Sequence, residues 1–239
     1  MKLDILVLAA HPDDAELGCG GTIAKHTGMG KKVGIIDFTK GELGTRGTPE
    51  IREKEASESA KILGVSVREN LRLKDGFFQN DPESQLKVLR AIRKYQPRII
   101  LANAVHDRHI DHGKGASLAY DASFLSGLMK IETIDEEGKK QPAWRPEAVY
   151  HYVQSQFIMP DFVVDVSAYW ETKMKAVRAY GSQFFNPDSD EPETYISKPG
   201  FLKMLDARGV EYGHAIGATY GEGFTVRRFP GVNNLFDLV

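Results

Sequence analysis

Two short runs of the sequence hold side chains of the kind that bind metals and move protons. The first is His11-Pro12-Asp13-Asp14-Ala15-Glu16, and the second is His106-Asp107-Arg108-His109-Ile110-Asp111-His112. A catalytic zinc ion takes three protein ligands from His, Asp or Glu and leaves a fourth position for water. His11, Asp14 and His112 would supply that set. Two imidazoles suit zinc better than magnesium, which prefers oxygen ligands throughout. Asp13 is then left over beside the ion, and a carboxylate that is not a ligand, next to an activated water, is what a general base requires. Adjacent Asp13 and Asp14 can diverge on a turn, one toward the metal and the other toward the water. His109 precedes His112 by three residues, so a helix opening there places both rings on one face. Asp111 could then hold and charge His109, which would face an oxyanion or a leaving group. Taken singly, each run has a structural explanation: the first as a turn with an Asp N-cap, the second as a solvated helix start. Together they are harder to explain that way, because each follows an apolar run.

Those apolar runs define the framework. Ile5 to Ala10 is continuous, the signature of a strand covered on both faces, and Arg98 to Ala102 ends in a second such run. Gly18, Gly20 and Gly21 bend the chain into a helix through Lys25, and Val33 to Thr39 reads as another buried strand. Thr48-Pro49 opens a helix with an N-cap and a proline at the first position, Ile51, Ala56, Ala60 and Leu63 give it an apolar side, and Gly64 ends it. A short strand near Leu71 to Leu73 and a helix from Ser84 to Tyr95 continue the alternation. Further strands are expected at Ala148 to Val153 and Phe162 to Val166, with helices at Ala168 to Tyr180 and Lys198 to Ala207. Strands alternating with helices imply an α/β fold, a mostly parallel sheet with helices on both faces. Ligands of such sheets sit beyond the carboxyl ends of the strands, where both metal-binding runs stand. His151 and Gln154 follow a strand and are candidates to line the same pocket. Asn186 to Glu193, with two prolines and five acidic or amide side chains, reads as a mobile insertion.

The chain of 239 residues is sized for one domain, expected to span 1–239. Its 31 Lys and Arg against 33 Asp and Glu leave a net charge of -2 with no basic run, which argues against nucleic-acid binding. No apolar stretch approaches the ~18 residues of a membrane span, and no secretory leader is expected ahead of the first strand. A single cysteine, Cys19, excludes an internal disulfide and fits a reducing, cytoplasmic location. Gly18-Cys19-Gly20-Gly21 invites comparison with a dinucleotide-binding turn, but Gly-x-Gly-x-x-Gly is absent and carboxylates stand where a pyrophosphate would sit. The glycines are read instead as allowing close helix-strand packing, and Cys19 as a packed small hydrophobe.

His11-Pro12-Asp13-Asp14 with Glu16, and His109-Ile110-Asp111-His112, resemble the paired motifs of the LmbE-like, or PIG-L, zinc deacetylases. The similarity covers nearly the whole chain: it resumes in Gly41 to Thr48, in Arg52 with Glu55-Ala56, and in Tyr220-Gly221-Glu222-Gly223-Phe224. Ile110 stands where many relatives carry Pro, a position that is not a ligand. Within the family the chain most resembles the bacillithiol-pathway enzymes that deacetylate N-acetylglucosaminyl malate. The resemblance implies a Rossmann-like sheet without a dinucleotide, zinc on His11, Asp14 and His112, Asp13 as base, His109 as oxyanion stabiliser or acid oriented by Asp111, and a homo-oligomer, hexamer or trimer. Arg52 and Arg108 are candidate substrate grips: Arg108, beside His109, for the carboxylates of malate, which a guanidinium meets bidentately, and Arg52 for the sugar hydroxyls or the carboxylates of the site. Glu16 and Tyr195 are further candidate substrate contacts. Other amidosugars, such as diacetylchitobiose or an inositol conjugate, are the alternative substrates, and a nucleotide-binding module without chemistry is the alternative of another class.

Overall fold

β1 (Ile5–Ala9) is buried along its whole length, and the rest of the molecule is built outward from it. The computed structural model describes residues 1–184 and 190–237. After β1 come α1 (Asp14–Gly28), β2 (Val33–Asp37), α2 (Pro49–Leu63), β3 (Val67–Asn70), α3 (Pro82–Tyr95), β4 (Ile99–Ala102) and α4 (Ile110–Ser126). The chain continues with β5 (Ala148–Tyr152), β6 (Phe162–Asp165), α5 (Trp170–Arg178), α6 (Phe201–Ala215) and β7 (Gly221–Val226). One seven-stranded sheet results, in the order β3-β2-β1-β4-β5-β7-β6. The first five strands of that order are parallel, and β7 runs antiparallel to both β5 and β6. The expected α/β class with a mostly parallel sheet and helices on both faces is therefore what forms.

Side-chain alternation along β1 explains its burial. Leu6 and Leu8 face a core shared with Val88, Ile92, Leu118 and Ala122 of α3 and α4. Ile5, Val7 and Ala9 face the other way, onto Ala15 and Ile23 of α1 and Ala176 of α5. Each aliphatic side chain so covered contributes about 2 kcal/mol relative to exposure, which is why a strand with no polar face sits at the centre. Close packing of α1 depends on its glycines: a Cβ at Gly18 would lie 2.2 Å from the Tyr152 ring and one at Gly21 2.8 Å from Val166.

Three element expectations need correction. The short strand is Val67–Asn70, not Leu71 to Leu73. Its side chains are polar because they serve ion pairs, Arg68 with Asp37 and Glu69 with Lys94, while Leu73 packs into the α3-α4 core. α6 continues past Ala207 to Ala215, because Gly209 gives room to the Trp170 ring rather than stopping the helix; a Cβ there would meet the ring at 2.3 Å. β7 is a strand that the reading of elements left out. Of the insertion expected at Asn186 to Glu193, 186–189 lie outside the described residues. Among the described residues no helix is long and apolar enough to cross a membrane.

Candidate active site

The chain leaves β1 toward β2 on one side, and β4 lies on the other. At this switch the carboxyl ends of two adjacent strands open a crevice. β1 delivers His11, Asp13 and Asp14 into it, and the loop after β4 delivers Asp107, His109 and His112. Asp13, the residue before α1, has a φ of 107°, a left-handed conformation rare for a side chain larger than Gly. That turn separates the neighbouring carboxylates. Asp14 faces His11 and His112, while Asp13 faces Arg52.

Asp14 is the hub. Its Oδ1 lies 3.0 Å from His112 Nε2 and its Oδ2 lies 3.5 Å from His11 Nδ1. Asn103 Nδ2 and Gln154 Nε2 each donate to the same carboxylate at 3.0 Å. The far nitrogen of each ring is also held: His11 Nε2 by Asp75 at 3.0 Å and Asp111 at 3.4 Å, His112 Nδ1 by Asp107 at 2.5 Å. Metal-bound imidazoles are commonly held this way, with a carboxylate fixing the ring and its tautomer. Burial works against a charged His112, yet Asp14 and Asp107 raise its pKa to about 9. The cluster thus favours positive charge at the point where His11 Nδ1, Asp14 and His112 Nε2 converge, and two imidazoles with one carboxylate fit a divalent cation such as zinc. Donor atoms of His11, His109 and His112 also lie within 4.8 Å of one another, so the third imidazole borders the same position.

Asp13 is 5% exposed and pairs with Arg52 Nη2 at 3.2 Å. Burial pushes its carboxyl up to about 7, helped by the charges of Asp14 and Glu16 and opposed by Arg52 and His11. Arg52, also 5% exposed, further donates to the Pro12 carbonyl at 2.5 Å and the Gly41 carbonyl at 3.3 Å. It holds Asp13 in place, so of the partners expected for it the structure shows a carboxylate of the site. His109 differs from expectation too. Its Nδ1 accepts the backbone N–H of Asp111 at 3.3 Å, which leaves Nε2 carrying the hydrogen. Burial, followed by the charges of His11 and His112, lowers the pKa of His109, so the ring is a neutral donor. The Asp111 carboxylate does not charge it; that carboxylate accepts from Gly76 N at 2.7 Å and Lys114 Nζ at 3.2 Å, and faces His11.

Glu16 cannot meet a substrate. It is fully buried, its Oε1 shared among Ser59 at 2.6 Å, Arg68 at 2.5 Å and Tyr180 at 3.2 Å. Arg108 and Tyr195 do come together: the guanidinium lies 4.2 Å from the Tyr195 ring centroid, and both line a cavity of about 440 Å³ that contains His11, Asp13, His109 and His112. Gln154 lines it as well, whereas His151 is sealed in the sheet. Reasoning from motifs gave no role to Asp75, Asn103 or Asp107. Asn103 and Asp107 stand just beyond a buried strand, which was the available signal. Asp75 sits in a loop with nothing around it to mark it.

Residues 6–123 match the family model described as PIG-L: GlcNAc-PI de-N-acetylase. The conserved protein TT1542 from Thermus thermophilus is 36% identical, with a TM-score of 0.85 over 98% of both chains. The chain belongs to the PIG-L family. A diacetylchitobiose deacetylase of Thermococcus kodakarensis is 29% identical over 95% of this chain and 84% of its own length. The N,N'-diacetylchitobiose deacetylase of Pyrococcus horikoshii, also 29% identical, superimposes with a TM-score of 0.80 over 98% of this chain and 88% of that one. Both motif runs lie inside the matched PIG-L segment. The family model and these deacetylase relatives give the reaction class: an N-deacetylase, hydrolysing the amide of a glucosamine-type conjugate.

Proposed function

We propose that this protein uses zinc, held by His11, Asp14 and His112, to remove the acetyl group of N-acetylglucosaminyl-L-malate in bacillithiol biosynthesis. The observation that carries the choice of substrate is the state of the cations in the cavity. Arg46 is spent on Glu191, Arg52 on Asp13 and Lys173 on Glu222. Arg108 and Arg208 also line the cavity, and among the described residues neither meets a carboxylate. Arg108 stacks on Tyr195, and Arg208 donates to the backbone carbonyls of Gln154 and Ser155. Malate brings two carboxylates, which a guanidinium recognises in bidentate geometry. A neutral disaccharide would leave the charge of Arg108 unmatched.

Zinc in this position supplies Lewis-acid polarisation of the amide carbonyl and makes a water more acidic. Asp13, steadied by Arg52, takes the proton of the attacking water. The Nε2–H of His109 donates to the carbonyl oxygen as charge develops there, where losing one such donor costs roughly 10²- to 10³-fold in rate. Asp13 then holds the proton that the departing amine needs. Asp107, Asp75 and Asp111 keep the rings of His112 and His11 from turning.

Acetate release tests this reading, with the malate conjugate, diacetylchitobiose and free N-acetylglucosamine compared on protein stripped by a chelator and reloaded with zinc. The malate conjugate is expected to be preferred. Arg108→Ala should raise KM for that conjugate about 10- to 100-fold, the size of a lost charged hydrogen bond, and leave free N-acetylglucosamine nearly unchanged. Equal losses on both, or a preference for diacetylchitobiose, would overturn the malate assignment.

A further inference from the structure

The cavity has two ends of different character, which meet where the Tyr195 and Phe201 ring centroids lie 5.6 Å apart. At the outer end stand Arg108 and Tyr195, the latter 39% exposed. From Asp14 the cavity also runs inward along Leu17 and Gly18, one turn further into α1, to a space between α5, α6 and β7. Its walls there are Trp170, Phe201, Leu205 and Tyr212, exposed by only 5, 7, 9 and 5%, together with half-buried Met204. The ionic pair at this end is closed on itself. Lys173 Nζ donates to Glu222 at 2.6 Å and to the Leu17 carbonyl at 2.9 Å, and lies 4.8 Å from the Trp170 ring centroid. Both oxygens of Glu222 accept backbone N–H groups, from Gly21 at 2.9 Å and Thr22 at 2.7 Å.

Sugar hydroxyls placed inward would face mostly apolar walls among the described residues, where Arg208 already donates to the carbonyls of Gln154 and Ser155, at the cost that buried unpaired polar groups carry. The sugar and its anionic aglycone therefore belong at the outer end. The other substituent of the scissile amide, the acyl group, then points inward. An acetyl methyl leaves most of the space beside four large apolar side chains unfilled. We propose that the inner end is an acyl-chain subsite and that the protein hydrolyses N-butyryl and N-hexanoyl glucosamine conjugates as well as N-acetyl ones. This rests on the deacetylase reading above. The step is the same hydrolysis: the water oxygen bonds to the acyl carbon, the C–N bond breaks, one water proton goes to the amine nitrogen, and no electrons change hands.

The test measures amine release by the zinc-loaded protein from N-acetyl, N-butyryl and N-hexanoyl forms of one glucosaminyl conjugate. KM should fall about three- to fourfold per methylene that enters the apolar space, with N-hexanoyl turnover retained. Met204→Trp, which fills the inner end, should lower the N-hexanoyl to N-acetyl ratio of kcat/KM more than tenfold. Met204→Ala should leave that ratio the same or raise it, and because each ratio is internal to one preparation, partial loss of folded protein does not affect it. Hydrolysis of the acetyl form with N-hexanoyl below a hundredth of it, or a ratio unmoved by Met204→Trp, overturns the acyl subsite and leaves the deacetylase reading standing. No amine from any of the three would overturn both.

Discussion

Asp13 occupies a backbone conformation that costs energy for any residue with a Cβ, of order 1–3 kcal/mol. The surroundings that hold it there are the Arg52 contacts to its side chain and to the Pro12 carbonyl. Asp13→Asn keeps the size and the contact with Arg52 but removes the basic oxygen. Its kcat should fall about 10²- to 10⁴-fold, the range for a positioned general base, while metal analysis still finds zinc bound. A zinc-loaded variant of normal activity would remove Asp13 from the role. The Asp107 contact to His112 predicts a different phenotype: Asp107→Asn should weaken zinc binding about 10- to 100-fold, read by competition with a chromophoric chelator. An unchanged Kd would mean that the ring is oriented by something else. Asp13 was legible because its chemistry is packed beside His11 and Asp14, whereas Asp107 was given no role although it stands in the second run. The partner of Asp111 was not legible, because it depends on how α4 begins. With His109 in extended backbone ahead of the helix, its ring takes the Asp111 N–H and the Asp111 carboxylate turns to His11.

At the scale of elements, helix starts were readable where capping chemistry is local. Thr48 accepts from Ile51 N with Pro49 following, as expected. Asp81 does the same for α3, accepting from Ser84 N at 2.8 Å ahead of Pro82, so this helix starts before the expected Ser84. Asp81 does not line the cavity, which separates stability from catalysis. Asp81→Ala should cost about 1 kcal/mol, lowering Tm by about 2–4 °C in a chain of this size, with kcat/KM unchanged. Thermal unfolding and an acetate assay on the same sample check both halves, and loss of activity without loss of Tm would contradict the separation. β7 escaped the reading for a tertiary reason. Gly221 and Gly223 weaken it as a strand by propensity, but they admit Val163 and the Tyr212 ring to the backbone, where added Cβ atoms would lie 2.6 and 2.8 Å away. Pairing with β5 and β6 on both sides then fixes a segment that would not hold a strand alone.

For the whole molecule, a sheet covered on both faces must keep its buried polar groups paired or neutral. Arg68 answers to Asp37 and Glu16, and Lys173 to Glu222. His151 on β5 has only one partner: its Nδ1 donates to the Asn103 carbonyl at 2.9 Å, while buried Nε2 has none among the described residues. Protonating Nε2 would place an uncompensated charge in the core, so burial pushes the pKa of His151 down to about 4 from an ordinary 6.5. Below pH 6.5 the unfolded chain takes up this proton more readily than the folded one, and stability therefore falls as pH drops from about 6.5 to about 4. The contribution of this residue is whole above that window. It declines by about 2 kcal/mol at pH 5 and by about 3 kcal/mol once pH is below both values. Carboxylates titrate over the same range, so the informative quantity is a difference between proteins. His151→Asn keeps a donor for the Asn103 carbonyl and removes the titration. It should be less stable than the parent at pH 7, from lost packing, and the gap should close by about 2 kcal/mol when both are unfolded in urea at pH 5. A gap that stays constant from pH 7 to pH 5 would show that this imidazole titrates alike in the folded and unfolded chain.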